Sequence, residues 1–295
     1  MLVRDSPEPP GGPGQSTIAP STIAQSTIEV FMLRRNLRSA FVAGAYVFPG
    51  GAVDPDDRGA PLLGLVEGVD AGTADALLGV TSGALGFWVA AIRESFEEAG
   101  VLLARDAASG TAVDPGLVAE LAPARPAVAA GERSFADLVR PHGLALDAGA
   151  LRVFAHWITP EPAPRRYDTW FFIAPAPPGH AYEHDFDETV ASEWVRPADA
   201  LERARRGEFE LIYPTFKSLQ TIARFTSTSE LFDAVDAAWR GSAPALRVMN
   251  SEQGWQVRLP GDGGSADGGD DGDADAIAHS TTNRVRAGAA GKAVL

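Results

Sequence analysis

The sequence predicts an α/β sandwich with a mixed sheet, and three features carry that expectation. Runs rich in β-branched and aromatic residues, among them "IEVFMLRR" (28–35), "LRVFAHWIT" (151–159) and "DTWFFIAP" (168–175), read as strands. Between them lie segments with apolar residues at helical spacing, the clearest being Leu85, Trp88, Val89, Ile92, Phe96 and Ala99. Strands and helices interleaved in this way bury their apolar faces as packed layers. With 295 residues, 45% of them apolar, the chain is long enough for one large domain or two small ones and has ample material for a core.

Taken in order, the first 28 residues are rich in Pro, Gly, Ser and Thr and repeat "STIAP", "STIAQ" and "STIEV". A five-residue period matches no solenoid. Residues 1–26 are therefore expected to form a disordered leader, with the third copy opening the first strand. "SAFVAGAYVFPGG" (39–51) reads as the next strand, after a tight turn at Asn36. Residues 58–84 are rich in Gly and Ala, with only a weak helical pattern near 72–79. The strongly periodic helix over 85–99 stops at Gly100, a residue suited to the left-handed position that ends a helix. "VLLAR" (101–105) reads as a strand, 115–140 as helical, and "ASEWVRP" (191–197) as a further strand. Helices are expected over 197–207, 214–225 and 229–240, and a closing hairpin from "ALRVMN" and "WQVRLPGD". "GDGGSADGGDDGDADA" (261–276) is of low complexity and cannot bury a core, so the folded unit is expected over 27–260 and an acidic tail over 261–295.

The formal net charge is −14; the leader contributes −1 and the tail −3, which leaves −10 on the expected folded part. Such a surface repels a phosphate backbone, so a duplex nucleic acid is not an expected partner. A small anionic substrate bridged by divalent cations is compatible with it. The absence of cysteine excludes disulfides, thiolate metal sites and thiol nucleophiles, and fits a cytoplasmic location. No apolar run approaches the ~18 residues that cross a bilayer, so no membrane association is expected. The N-terminus lacks the continuous apolar region of a secretory signal.

Residues 91–101 read "AIRESFEEAGV". Glu94, Glu97 and Glu98 stand at i, i+3 and i+4 and so share one side of the 85–99 helix. They repel one another, and they lie near a helix C-terminus, where the dipole disfavours anions. Local stability does not explain them. Oxygen ligands on one face are what a hard divalent cation such as Mg²⁺ or Mn²⁺ requires. Arg93 adjoins them and is able to hold a carboxylate through two parallel hydrogen bonds. The plain alternative is a solvated acidic face. Upstream, "VFPGGAVD" (47–54) runs a strand into a Gly-Gly turn, where backbone can approach a ligand closely.

Together these stretches make the chain resemble the Nudix hydrolases, whose box reads G-x5-E-x7-R-E-U-x-E-E-x-G-U, with U a bulky apolar residue. Gly51 matches the first glycine, and Arg93, Glu94, Glu97, Glu98, Gly100 and Val101 match the second half in order. Three departures stand out. Gly51 to Val101 spans 51 residues where the pattern has 23, an expansion of 28. The first Glu of the box falls on Asp57, with Asp54, Asp56 and Glu67 as alternatives. Ser95 replaces the apolar residue after Arg-Glu. The expanded box is similar to that of the subgroup containing the eukaryotic coenzyme A diphosphatases, as are "PRRYDTWFFIAP" (164–175), "EWVRPADAL" (193–201) and "YPTFKSL" (213–219).

The resemblance implies a Nudix-type α/β/α sandwich with an insertion over 58–84 inside the box and extra C-terminal helices. It implies Mg²⁺ or Mn²⁺ held by Glu94, Glu97 and Glu98, with the Gly50 carbonyl as a further ligand, and a catalytic set of Arg93, Glu94, Glu97 and Glu98. The base is Glu94 or a glutamate outside the box, for which Glu188 and Glu193 are candidates. The implied reaction is hydrolysis of a diphosphate linkage in a nucleoside diphosphate joined to another moiety, with coenzyme A or acyl-CoA leading. NADH or ADP-ribose is the alternative substrate class, and a non-catalytic nucleotide-binding module the alternative function. Diphosphate isomerisation on this architecture usually needs a cysteine, which the chain lacks. Homodimers are common in the family. The expansion enters at the rim of the implied metal site, as a lid, a specificity wall or a surface excursion.

Other polar groups carry weaker signals. Arg165, Arg166 and Tyr167 stand at a strand entrance, where Arg suits phosphate and an aromatic suits a base; two solvated arginines are the plain alternative. Asp168 reads as a cap or an arginine partner. "HAYEHDFDE" (180–188) gathers His180 and His184 among acids, as a second metal site or, more simply, a mobile polar loop. His142 and His156 read as structural. "GTS" and "STS" lack a nucleophile elbow, and "GGDDGDADA" lacks the terminal Glu of a calcium loop.

Overall fold

The computed structural model describes residues 1–7, 26–37, 43–158, 167–185, 187–239 and the backbone of 291–294. Its larger sheet contains β1 (Leu2–Asp5), β2 (Ile28–Arg35), β3 (Tyr46–Val47) and β4 (Gly50–Ala52). A second, three-stranded sheet is made of β5 (Val66–Glu67), β6 (Ala104–Asp106) and β7 (Leu144–Asp147), in the order β5-β7-β6. The larger sheet is completed by β8 (Arg152–Ile158), β9 (Asp168–Pro175), β10 (Thr189–Val195) and β11 (Gly291–Val294).

β1 joins the two halves of the larger sheet. It runs antiparallel to β2 through Val3–Val30 and Asp5–Ile28, and parallel to β9 through Leu2–Ala174. On one side β2 pairs with β10 and β3; on the other, β9 pairs with β8 and β11, and β11 with β4. Residues 1–7 are thus not part of a disordered leader. Met1, Leu2 and Val3 are buried, and an apolar tripeptide flanked by strands on both sides gains more from burial than it loses in chain entropy. The acidic tail also contributes to the sheet, through β11. The expected hairpin at 245–262 and the rest of the tail lie outside the described residues.

Two helices lie within the box expansion, α1 (Ala60–Leu63) and α2 (Ala71–Leu78), and α3 (Leu85–Ala99) follows it. The 58–84 segment is therefore an ordered excursion. Asp70 caps α2 by accepting the Thr73 N–H at 2.9 Å, and Gly79 closes it in the left-handed region at φ 66°. The far end of the excursion is pinned where β5 pairs with β7. The expected strand over 101–105 begins three residues later, at Ala104, because residues 101–103 are spent turning out of α3. The helical stretch after it resolves into α4 (Pro115–Leu121), α5 (Arg125–Ala129) and α6 (Phe135–Val139). The C-terminal helices α7 (Pro197–Arg205), α8 (Tyr213–Ile222) and α9 (Thr228–Ala238) fall where the sequence places them.

α3 is buried along nearly its whole length. Its apolar stripe packs into the core, with Trp88 edge-on to Phe172 of β9 at 4.8 Å. Its start is held by Asp75 of α2, which accepts the Ala84 N–H at 2.9 Å. Its end is a Schellman turn: Gly100 sits at φ 67° and the Val101 N–H bonds the Ser95 carbonyl at 3.1 Å. The buried Ser95 hydroxyl lies 2.8 Å from the carbonyls of both Ile92 and Val101, so it ties the helix to the chain that leaves it. That accounts for a serine where an apolar residue is expected.

Candidate active site

The polar face of α3 is not solvated. Arg93, Glu94, Glu97 and Glu98 are 7, 9, 7 and 9% exposed, covered by β4 and by a short 3-10 turn, Pro55–Arg58. That turn delivers Asp57, which is fully buried. Its Oδ2 also accepts the Asp54 N–H at 2.8 Å, which closes the turn and fixes the carboxylate.

Arg93 organises the cluster. Its Nε and Nη2 donate to Oδ1 and Oδ2 of Asp57, each at 2.9 Å. Nη2 also donates to the Ala52 carbonyl at 2.9 Å, and Nη1 to Glu94 at 3.0 Å and Glu97 at 3.1 Å. The planar fork matches one carboxylate on its long edge and leaves its other donors for two more. Burial alone would lower the guanidinium pKa, but Asp57, Glu94 and Glu97 outweigh it, and the pKa is raised. The sequence assigned this arginine to one carboxylate; it hydrogen-bonds three and forms an ion pair with a fourth, Asp54, at 3.5 Å.

Glu98 is held differently. Its Oε2 accepts the Gly50 N–H at 2.8 Å. Gly50 has φ 151°, a conformation that a side chain disfavours. Gly51 is required for a second reason: a Cβ there would lie 2.3 Å from a Glu94 carboxylate oxygen. The Gly-Gly turn therefore lies directly against both glutamates.

Electrostatics at this face are unfavourable for the bare anions. Burial pushes Glu94 up to about 7, with Arg93 drawing it down and Glu97 pushing it up. Burial raises Glu97, and raises Glu98 well above the usual carboxylate range, with Glu94 and Glu188 adding to the effect. Arg35 and the Gly50 N–H oppose it at Glu98. Asp54, Asp57, Glu94 and Glu97 stand around one fully engaged arginine, with Glu98 beside them. The donor set, carboxylates and backbone beside a glycine turn, fits a hard divalent cation. Among the described residues no three acidic, His or Cys side chains are already spaced around one ion position, because Arg93 gathers Glu94 and Glu97 while Gly50 holds Glu98.

The remaining expected residues divide. Glu188 lies near Glu98; its side chain is 63% exposed and pairs with Arg35 at 3.5 Å. Glu193 is instead engaged by both Nη atoms of Arg203, at 2.6 and 3.2 Å, and bonds to Tyr46, so its described contacts lead away from the box. Arg165 and Arg166 lie outside the described residues; Tyr167 is half-buried beside them in sequence. Among the described residues Asp168 pairs with His156, and His156 stacks on Trp170 at 3.7 Å. His180 is buried beside Tyr182, and no second metal cluster occurs among the described residues. The described residues of 180–188 are tied together: Asp185 Oδ1 accepts the N–H groups of Asp187 and Thr189 at 3.2 and 2.9 Å, and Oδ2 that of Glu188 at 3.3 Å. Two residues that sequence reasoning missed or left open are Arg125, which has no motif signal, and Asp57, whose signal was its spacing from Gly51.

Comparison with known proteins agrees with this geometry. The family model described as the NUDT19 Nudix domain matches residues 71–222. A chicken protein named acyl-coenzyme A diphosphatase NUDT19 is 32% identical over 290 residues, covering 85% of this chain and 76% of its own length. The human protein of that name is 32% identical over 233 residues, and the match spans 68% of this chain and 62% of the human protein. A crystal structure of a Nudix hydrolase from Alicyclobacillus acidocaldarius superposes with a TM-score of 0.56 at 26% identity, over 82% of this chain and 93% of that one. The glycine turn packed on a buried Arg-Glu-x-x-Glu-Glu helix and these similarities agree: the chain is a Nudix hydrolase and belongs to the NUDT19 Nudix domain family.

Proposed function

We propose that the chain hydrolyses the diphosphate linkage of coenzyme A or an acyl-CoA, with NADH and ADP-ribose as the second substrate class. The observation that carries the reading is the surplus of buried carboxylate at Glu94, Glu97 and Glu98, packed under Gly50 and Gly51. The relatives named acyl-coenzyme A diphosphatase support the leading substrate.

Glu94, Glu97 and Glu98 would hold Mg²⁺ or Mn²⁺, with the Gly50 carbonyl as a further ligand; the Gly50 contact seen here is through its N–H. Bound divalent cation supplies charge neutralisation over a diphosphate and acidifies a coordinated water. The chain's own residues do the rest. Arg93, locked by Asp57, fixes the rotamers of Glu94 and Glu97. A carboxylate takes the proton of the attacking water as its oxygen bonds to phosphorus and the bridging P–O bond breaks, giving two phosphate-bearing fragments. Glu94 and Glu188 are the candidates for that carboxylate; Glu188 is the more accessible. Glu193, neutralised by Arg203, is the weaker choice.

The test is incubation of the full chain with CoA, acyl-CoA, NADH and ADP-ribose, each with Mg²⁺ or Mn²⁺, and mass spectrometry of the products. Phosphopantetheine-type fragments are expected from the first two, and loss of turnover by orders of magnitude in Glu97→Gln and Glu98→Gln. Binding of these compounds without cleavage would favour the non-catalytic module. Full turnover in both variants would remove the ligand assignment.

A further inference from the structure

We propose that Arg125, the first residue of α5, is a positioning residue for this site. It comes from the segment between β6 and β7, outside the box and outside any motif. Its Nε donates to the Glu97 carbonyl at 2.9 Å, and its Nη2 to the Glu183 carbonyl at 2.9 Å. Between these two carbonyls the chain makes one more link: the Glu183 N–H bonds the Ala99 carbonyl at 3.1 Å. The guanidinium lies over Gly100, where Nη1 stands 3.3 Å from the position a Cβ would take.

The contact answers a specific need. The last carbonyls of a helix lack internal partners and form the negative end of its dipole. In α3 that end carries the backbone of Glu97 and Glu98, so the dipole adds to the repulsion already present there. A fixed cation on the Glu97 carbonyl satisfies the orphan acceptor and offsets the field; Glu98, Glu183 and Asp185 all lie within its electrostatic reach. Through Glu183 the same side chain clamps the loop that Asp185 shapes and that ends at Glu188. A planar fork spans two carbonyls at once; a lysine ammonium on a flexible stem does not hold that pair in one geometry.

Arg125 therefore acts through the last turn of α3 and the 183–188 loop, without touching the reacting atoms. The inference rests on the reading of Glu94, Glu97 and Glu98 as metal ligands. The test compares the full-length wild type with Arg125→Lys and Arg125→Ala, measuring Mn²⁺ binding by the EPR signal of unbound Mn²⁺, steady-state kinetics and thermal unfolding. Expected is a loss on the order of 10–100-fold in Mn²⁺ affinity or kcat for the Ala variant, as for other groups that orient metal ligands, with a smaller loss for Lys. KM for the diphosphate substrate stays within about threefold, since no substrate contact is removed. Mn²⁺ affinity and kcat equal to wild type in both variants would overturn the proposal, and so would a raised KM with unchanged kcat. Should the Ala variant not fold, the Lys variant decides by the same criteria. If wild type itself binds no Mn²⁺, the reading of the glutamates fails instead.

Discussion

Asp57 and Arg93 lie 36 residues apart in the chain and are joined by two hydrogen bonds of 2.9 Å, with both side chains buried. The pair spans the whole expansion of the box. It places an acid from one end of the excursion under the guanidinium that orders the glutamates at the other end.

Asp57→Asn removes the fully buried carboxylate that accepts from both Nε and Nη2 of Arg93. Asp57→Asn is expected to cost about 3–5 kcal/mol of folding stability, the range for a buried ion pair that loses one partner. Urea unfolding followed by circular dichroism checks the value. Turnover falls as well, because Arg93 no longer has a fixed base from which to hold Glu94 and Glu97.

Glu98→Gln is expected to move stability and function in opposite directions. The carboxylate is buried and its pKa is raised well above the usual range, chiefly by burial, so at pH 8 its charge opposes folding. A neutral amide of the same shape keeps an oxygen for the Gly50 N–H. The variant's denaturation midpoint at pH 8 rises above that of metal-free wild type, while its Mn²⁺ affinity and turnover fall.

The pH dependence of stability follows from Glu94, Glu97 and Glu98. Their folded-state pKa values lie above the unfolded ones, so between these values the native state binds more protons. Their contribution to the stability of the metal-free protein is then greatest below the unfolded value and falls as pH rises from about 4.5 through about 7, where Glu94 titrates. Scanning calorimetry in EDTA between pH 5 and 8 measures the decline. Adding Mn²⁺ or Mg²⁺ raises Tm more at pH 8 than at pH 5, because the cation binds the ionised form.

Gly51→Ala tests the close approach of the turn to α3. The added methyl would occupy space 2.3 Å from a Glu94 oxygen, so the side chain must move. The far end of a glutamate moves at small cost to the fold. On the proposed role of Glu94 as a metal ligand, a kcat lower by at least tenfold is expected with a Tm shift of only a few degrees.

Much of this was legible because it rests on local pattern. The i, i+3, i+4 rows of α3 gave both its core face and its acidic face, and Gly100 gave its end. The strands β8 and β9 declared themselves by composition. The burial of the acidic face was not legible: whether a charged row meets solvent or protein depends on what covers it, here β4 and the Asp57 turn, which are distant in sequence. β1 was hidden for a related reason. Four residues carry too little periodicity to mark a strand, and its neighbours Ile28 and Ala174 are far along the chain. Arg125 makes its contacts to backbone carbonyls, which leave no trace in the identity of the residues that supply them. The histidines of the 180–188 loop drew attention by type alone, whereas Asp185, an ordinary acid just after them, shapes the loop.

The excursion between Asp57 and Arg93 is fastened at its base by that ion pair and at its far end by two residues in the second sheet. A segment bolted at both ends behaves as an exchangeable cassette. Its exposed surface can change in sequence while Asp57, Arg93 and the glutamates beneath it keep their alignment.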